Sequence, residues 1–452
     1  MTQDLLPDGM PRKDTIKISI HSLKHYVSSF FLGNPLWKGA AIIGGGTALA
    51  QGISVVCTPI ITRLYLPSDF GILGIYSAIL TILIAFASLR YEFSIPLPKE
   101  HSRAAHILVL CLILIIIISI VVTVFLFVLG GYLTDIFHYS DLNPYLWLIL
   151  LGFFGAGIYQ ALNYWAIRQR DYPRITRTRI NQSIGGSASK IIFGIVGFGP
   201  IGLIFGHLIS NIAGIWTYID AIRKKDREYF QDISLSDIKS VAREHRDFPL
   251  YATPATLIFA ISLQIPVFML TLMYDIQVVG WYTLAYQMLA LPITLIAGSL
   301  AQVFYGEAAT SIRENPAALK PLYLDTTRKL ILISLPAIAI PTMIAPLLFP
   351  IIFGAEWTEA GLYCLPLALV AASQFVISPT SKLQLYGYNH WNFGFNIFRM
   401  IIIICGFYTA VIFNLSPMSA LLIYGVITLF CYSILFWLNI IAIDQINTQI
   451  NS

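Results

Sequence analysis

Twelve apolar runs, each long enough to cross a bilayer as a helix, constrain this chain more than any other feature. About 20 helical residues match the roughly 30 Å thickness of a hydrocarbon core. With 452 residues, 57% hydrophobic and 11% charged, the chain is too apolar for a soluble enzyme. We therefore predict an all-α polytopic membrane protein with about 12 transmembrane helices. The runs are 38–61, 72–96, 105–131, 144–167, 181–198, 201–222, 250–273, 278–304, 329–350, 360–382, 394–413 and 417–442.

The loops between these runs differ in charge. Loops on the even-numbered side are rich in Lys and Arg, whereas Arg63 is the one basic residue on the odd-numbered side. By the positive-inside rule, both termini are expected in the cytoplasm. The longest loop divides the chain into six runs plus six. We predict a cytoplasmic N-terminal segment with an in-plane amphipathic helix, an N-lobe, a cytoplasmic linker, a C-lobe and a cytoplasmic tail, at residues 1–36, 37–222, 223–248, 249–442 and 443–452.

The second half of the chain repeats polar features of the first half at an offset of 206 residues, as from Asp69 to Asp275. In four of the spans, polar side chains recur at steps of three and four, which places them on one helix face. Both halves begin on the same side, so the repeats are parallel. Matching polar faces predict a watery central cavity between two six-helix lobes; the alternative is that these groups hold packed helices together. The predicted cavity residues are Thr47, Gln51, Ser54, Thr58, Ser77, Thr81, Ser88, Thr253, Gln264, Thr283, Gln287 and Thr294.

Ionisable side chains inside the predicted spans are further candidates. Lys190 lies about eight residues from the turn that ends its span, hence roughly 12 Å deep, where a lysine is by default a functional-site hypothesis. It is a candidate to bind an anionic cargo, or else a structural lysine held by carbonyl groups. Glu92 falls on the polar face of the second span, as a candidate for proton coupling or for pairing with a cation. Arg90 lies about 200° away on a continuous helix, so we expect it to snorkel to headgroups.

Other sequence features concern bending and cofactors. Pro266 and Pro292 each remove a helical hydrogen bond, and we predict that spans seven and eight bend there; static kinks are the alternative. The five cysteines are scattered singly, so we predict neither disulfides nor a metal site, and no cofactor. No phosphate-binding loop of the Walker type is present, and the net charge of +5 is not evidence for nucleic acid.

Four motifs resemble the oligosaccharide flippase (Wzx-type polysaccharide transporter) family, which shares a superfamily with lipid II flippases and multidrug and toxic compound extrusion (MATE) transporters. They are Arg90-Tyr91-Glu92 followed by IPLPKE, FPLYATP from Phe248, VGWYTLAYQMLALP from Val279 and AQVFYGEA from Ala301. The resemblance implies two six-helix lobes that alternate between inward-open and outward-open states. It also implies a cargo of undecaprenyl-pyrophosphate-linked oligosaccharide, turned over in the bacterial cytoplasmic membrane for O-antigen, capsule or exopolysaccharide. Membrane lipids, a polysaccharide polymerase and a chain-length regulator are the implied partners.

An exporter and a membrane enzyme are the two other classes of function that a polytopic chain of this kind could have. A MATE-like exporter of drugs or metabolites would be expected to hold an acid deep in the first or seventh span, where this chain has none. It stays the alternative function. A membrane polymerase or ligase would be expected to have a large periplasmic loop with basic and histidine residues, but the predicted periplasmic loops are short and acidic or neutral. We therefore predict that the protein is not an enzyme.

Overall fold

The computed structural model describes residues 35–136 and 144–451, and in these ranges the chain is helical with no β-strand. The predicted N-terminal segment of residues 1–36, which contains the amphipathic helix, lies outside the described residues apart from Pro35 and Leu36. The α-helices are α1 Pro35–Leu64, α2 Pro67–Ile84, α3 His101–Ile136, α4 Leu146–Arg168, α5 Tyr172–Val196, α6 Pro200–Ile212, α7 Ile215–Ala221, α8 Leu235–Glu244, α9 Thr253–Met273, α10 Ile276–Pro292, α11 Gly298–Glu314, α12 Leu319–Ser334, α13 Ile340–Phe353, α14 Thr358–Ile377, α15 Asn389–Ile412 and α16 Pro417–Asn451.

The number of membrane-spanning helices agrees with the sequence. Within the described ranges, 11 helical segments are long and apolar enough to cross a membrane. Helix α5 is not one of them, because its first turns carry three arginines. It nevertheless packs along α1, from Thr176 beside Gly46 to Gly194 beside Leu64. Counting α5 as a span, the prediction of an all-α membrane protein with about 12 transmembrane helices is confirmed.

One predicted boundary is wrong. The second span was expected to run to residue 96, but α2 ends at Ile84 and a 3-10 turn forms at Tyr91–Ser94. Leu89 and Arg90 have φ angles of 49° and 59°, a left-handed conformation that no α-helix continues through. At the other end of the chain, α16 extends to Asn451, so the described residues of the predicted cytoplasmic tail, 443–451, continue the last helix.

Apart from α2, whose main partner is α10, helices α1 to α7 pack mainly against one another, as do α9 to α16. We call residues 35–222 the N-lobe and residues 249–451 the C-lobe. The intervening helix α8 is bound to the N-lobe. Arg103 of α3 forms an ion pair with Glu244, and the Tyr91 hydroxyl donates to the Ala242 carbonyl at 2.9 Å.

The lobes meet chiefly through α2 and α10, at the end of the bundle where both helices begin. Glycine makes this contact possible, because a Cβ on Gly280 would overlap the Pro67 carbonyl oxygen and one on Gly71 would overlap the Ile276 carbonyl oxygen. Close helix contact of this kind depends on small residues.

A second contact between the lobes lies at the same end. The Trp357 indole N–H donates to the Thr62 carbonyl at 2.9 Å, and the Trp357 ring packs edge-on against Phe70 with centroids 4.8 Å apart. The Arg63 guanidinium donates to the Ile351 carbonyl at 3.1 Å. We call this end of the bundle the closed end. At the opposite end, a smaller contact joins Tyr91–Ser94 to Phe248–Ala252.

Candidate substrate site

The polar face of α1 lies mostly against α5. Ser54 and Ser183 are joined by a hydrogen bond of 2.9 Å between their hydroxyls, and Arg179 donates to the Thr47 hydroxyl. The buried Thr58 hydroxyl donates to the Ser54 carbonyl at 2.7 Å. These three predicted cavity residues therefore hydrogen-bond within the N-lobe, as the packing alternative expects.

The half-exposed Gln51 differs from its neighbours on this face, because its side chain has no hydrogen bond within the described ranges. On α9, Thr253 is buried and its hydroxyl donates to the Phe248 carbonyl at 3.3 Å. Gln264 is half-exposed. A role of these residues in a cavity stays a prediction.

The polar residues of α2 and α10 lie next to each other between the lobes. A Cβ on Gly74 would lie 2.5 Å from the Thr283 hydroxyl oxygen, and Ser77 is one turn further along α2. Beyond this point Thr81 and Gln287 are exposed. The two helices thus present a row of polar side chains that leads away from the closed end.

Thr294 lies two residues after one of the two prolines that are proposed as hinges. Pro292 ends α10 and is followed by a π-helical turn at Ile293–Ala297, which contains the exposed Thr294. Pro266 is buried within α9. An irregular turn therefore adjoins one of the two predicted hinges, although bending at either proline stays a prediction.

Lys190 lies between α5 and α6. Its aliphatic chain covers Gly206, where an added Cβ would overlap it, and the Tyr65 hydroxyl donates to the Lys190 carbonyl at 2.8 Å. His207, the residue after Gly206 on α6, lies close to this side chain. The side chain is half-buried, and its ammonium has no hydrogen-bond partner among the residues that the structure describes.

Glu92 is 1% exposed and forms the centre of a polar cluster. It accepts hydrogen bonds from the Ser88 hydroxyl and, at 2.8 Å, from Gln160 Nε2, and it forms an ion pair of 3.1 Å with Arg90. The expectation that Arg90 faces away from Glu92 and snorkels is wrong. The helix on which that expectation depended has already ended, and the left-handed backbone of Arg90 turns its guanidinium back onto the carboxylate.

The sequence analysis missed Arg399, which is 4% exposed on α15. Its Nε and Nη2 donate to the Ser262 hydroxyl at 3.0 and 2.5 Å, and its Nη1 donates to the Tyr432 hydroxyl at 3.4 Å. The guanidinium carbon lies 5.7 Å from the centre of the Phe259 ring. An arginine inside the apolar run 394–413 was a usable signal, since ionisable residues in membrane spans are expensive.

Lys382 was also missed. It lies in the turns between α14 and α15, where its backbone N–H donates to Asn439 Oδ1 at 3.1 Å. Burial lowers the pKa of its ammonium. In the described part of the chain, that ammonium has no hydrogen-bond partner and forms no ion pair. Lys382, like Arg399, is therefore a cation of the C-lobe that is not paired with an acid.

Comparisons with solved structures place the fold in one class of membrane transporter. A MATE family transporter in an inward-facing conformation aligns with a TM-score of 0.73 at 19% identity, covering 90% of this chain and 99% of that chain. The outward-facing conformation of a MATE family transporter aligns with a TM-score of 0.58 at 17% identity, covering 92% of this chain and 98% of that chain. The MATE transporter ClbM in complex with Rb⁺ aligns with a TM-score of 0.52 at 16% identity, covering 89% of this chain and 93% of that chain. The protein therefore has the MATE transporter fold.

The family follows from the sequence itself. The model of the family described as "Polysaccharide biosynthesis protein" matches residues 60–361, which is more than half of the chain. The chain belongs to this family, and its predicted resemblance to the Wzx-type flippases is confirmed. A search of curated proteins found no match.

Proposed function

We propose that the protein carries undecaprenyl-pyrophosphate-linked oligosaccharide units across the bacterial cytoplasmic membrane, as a transporter and not an enzyme. The observation that carries this proposal is membership of the polysaccharide biosynthesis family on a MATE transporter fold. In the orientation expected from the loop charges, the closed end is periplasmic. Cargo enters from the cytoplasmic leaflet and is released for a polymerase and a chain-length regulator.

The contacts between the lobes support a path for such a cargo. Gly71, Gly280 and Trp357 join the lobes at the closed end, while the polar row through Thr81 and Gln287 leads away from it. Hydroxyl and amide groups can hydrogen-bond the hydroxyls of a sugar. The prenyl tail remains in the lipid, where it loses no hydrophobic stabilisation.

Lys190 and Glu92 take different parts in this proposal. Lys190 is proposed to bind the pyrophosphate, since its ammonium forms no ion pair with an acid in the described part of the chain. The Glu92 carboxylate is already held by Arg90, Gln160 and Ser88, which supports pairing with a cation more than it supports proton uptake. Proton coupling at Glu92 would require Arg90 to release the carboxylate during the transport cycle.

Deletion of the gene tests the function. Membranes from the deletion strain are treated with a sugar-cleaving enzyme that reaches only the periplasmic leaflet. We expect lipid-linked oligosaccharide to accumulate in the cytoplasmic leaflet and surface polymer to be lost, with both restored by the intact gene. Normal polymer together with increased sensitivity to cationic drugs would contradict the proposal and favour the exporter, the alternative that the likeness to multidrug MATE structures supports.

Charge reversal tests the role of Lys190. At normal protein abundance, Lys190→Glu is expected to abolish surface polymer, because the new carboxylate repels the pyrophosphate. Lys225→Glu is the matched control, since Lys225 is exposed outside the bundle. Unchanged polymer in the Lys190→Glu strain would remove Lys190 from the site without affecting the proposed function.

A further inference from the structure

The C-lobe contains a cavity of about 330 Å³ between the start of α9 and the start of α15, at the end of the bundle opposite the closed end. This volume is at the lower limit of the usual range for ligand pockets, about 300 to 1,000 Å³. Amide and aromatic side chains line much of it, together with one alanine. These residues are Tyr251, Ala255, Gln384, Asn392, Phe393 and Asn396.

The lining has the chemistry of a polar ligand site. The amides of Gln384, Asn392 and Asn396 each carry both donors and acceptors. The rings of Tyr251 and Phe393 are 72% and 40% exposed, so their faces are free to pack against a sugar ring. Amides beside exposed aromatic rings are well suited to a saccharide, which offers hydroxyl groups and a C–H face.

Arg399 lies directly beyond this cavity. Asn392, Asn396 and Arg399 follow one another at helical spacing, and so occupy one face of α15. On α9, the cavity residue Ala255 is followed at the same spacing by Phe259 and Ser262, the residues that contact the guanidinium. The cavity residues and the buried arginine therefore lie on consecutive helical turns, along the surface where α9 faces α15.

No acid among the described residues forms an ion pair within 4 Å with Arg399. Three of its five N–H groups donate to Ser262 and Tyr432, which leaves two without a partner among the described residues. A buried cation without an anion is costly, and a ligand that brings an anion would remove that cost.

One acid borders the cavity. Asp247 lines its outer rim, 15 residues before Ser262 along the same stretch of chain. At 1.5 Å per helical residue this corresponds to roughly 20 Å, which is too far for an ion pair with Arg399. Asp247 is instead placed to accept hydrogen bonds from hydroxyl groups at the mouth of the cavity.

We propose that this cavity binds an anionic saccharide whose oxyanion, a phosphate or a carboxylate, is neutralised by Arg399. Asn392 and Asn396 bind the neighbouring hydroxyls. Phe259, which covers the guanidinium and is 43% exposed, moves aside to admit the anion. The inference rests on the proposed function only in taking the saccharide to be cargo; the anion site itself follows from the contacts of Arg399.

The test measures the thermal unfolding of the purified full-length protein in nanodiscs of uncharged lipid, at constant ionic strength. The probes are inorganic pyrophosphate and glucuronate, with glucose as the uncharged comparison. At about ten times its Kd, a bound anion is expected to raise the Tm of the native protein by about 2 °C. Stabilisation by pyrophosphate alone would assign the site to the phosphates of the cargo, and stabilisation by glucuronate would assign it to an acidic sugar.

Three variants locate the effect. All three are made in a Lys190→Gln background, which removes the other proposed contact with pyrophosphate, and in that background Arg399→Gln is expected to lose the shift completely. Ala255→Leu fills the cavity without touching the arginine and is also expected to lose it, so a folding defect of Arg399→Gln would not end the test. Arg223→Gln removes an exposed arginine that packs on Trp216, outside the cavity, and is expected to keep the shift.

A shift that persists in Arg399→Gln or in Ala255→Leu would overturn the proposal, as would the absence of any shift with both anions. This measurement reports binding by the purified protein, whereas the leaflet assay reports transport in cells. Failure of the anion site and failure of the flippase proposal are therefore distinguishable.

Discussion

The two lobes each bury an arginine, but they treat its charge differently. In the N-lobe, Arg90 forms an ion pair with Glu92, which is completed by Gln160. In the C-lobe, the hydrogen-bond partners of Arg399 among the described residues are the hydroxyls of Ser262 and Tyr432. An internally neutralised charge is part of the framework of a protein. A buried charge without an internal counter-ion is costly and is usually functional in a membrane protein.

The lobes also differ in the backbone next to their prolines. In the described part of the C-lobe, π-helical turns adjoin prolines at Phe248–Ala252, Pro292 to Ala297 and Leu335–Ala339. In the N-lobe, Pro59 lies inside α1 without such a turn. Irregular turns are frequent at functional sites and are places where a helix can bend. Taken with Arg399, this pattern leads us to propose that the C-lobe is the half of the molecule that responds to ligand.

The sharpest test of this comparison is the stability of matched arginine variants. Arg90→Gln is expected to lower the free energy of unfolding by about 3 kcal/mol, because it leaves the Glu92 carboxylate buried without its cation. Arg399→Gln is expected to cost nothing or to stabilise the protein, since the variant no longer buries an unpaired charge. Both are measured by thermal unfolding of purified protein in detergent without added anion.

A double variant provides the control for the N-lobe. Glu92→Gln combined with Arg90→Gln removes both charges and is expected to recover at least half of the lost stability. If Arg399→Gln destabilised the protein as strongly as Arg90→Gln, the contrast between the lobes would be incorrect, and Arg399 would be a structural residue.

The sequence predicted the larger features of the fold for physical reasons. Apolar runs of about 20 residues fix the number of spans, because the bilayer excludes every unpaired backbone group. Helical periodicity grouped Ser88 with Glu92, and the two are hydrogen-bonded, but they meet through the turns that follow α2 and not on one face of a continuous α-helix. It could not tell which neighbour a polar face meets, and so Thr47 and Ser54 were predicted to line a cavity although they hydrogen-bond to α5.

Other details depend on backbone conformation that hydropathy does not encode. The apolar run of the second span continues past Ile84, but the left-handed Leu89 and Arg90 end any helix there, and that alone brings Arg90 onto Glu92. Arg399 was visible in the sequence as a charge within an apolar run. Its importance comes from the absence of an acid around it in the described structure, which only the packing of α9, α15 and α16 reveals.

A substitution at the closed end tests whether the lobes separate there. Gly280→Val is expected to cost about 2 kcal/mol in the observed conformation, because its side chain would overlap the Pro67 carbonyl. The protein should then open at this end. In a background without the native cysteines, the rate at which maleimide labels Thr62→Cys is expected to rise roughly tenfold.

Gly52→Val is the control for this experiment, since a Cβ on Gly52 meets no atom within 4 Å. It carries the same loss of a helical glycine without the clash, and labelling of Thr62→Cys is expected to stay slow. Equal labelling rates in the two valine variants would mean that the α2–α10 contact does not hold the closed end together.

The smallest effect on stability is expected at the proposed hinges. Pro292→Ala should change the free energy of unfolding by less than about 1 kcal/mol, yet reduce surface polymer several-fold, because the π-helical turn after α10 can then continue as regular α-helix. Pro266→Ala is expected to reduce polymer less, since no irregular turn adjoins it. Pro336→Ala is the comparison, a proline within the turn that joins α12 to α13 and outside the polar row between the lobes. If polymer stayed normal in both the Pro266 and the Pro292 variants at normal protein abundance, these prolines would be static kinks, and the responsiveness of the C-lobe would depend on Arg399 alone.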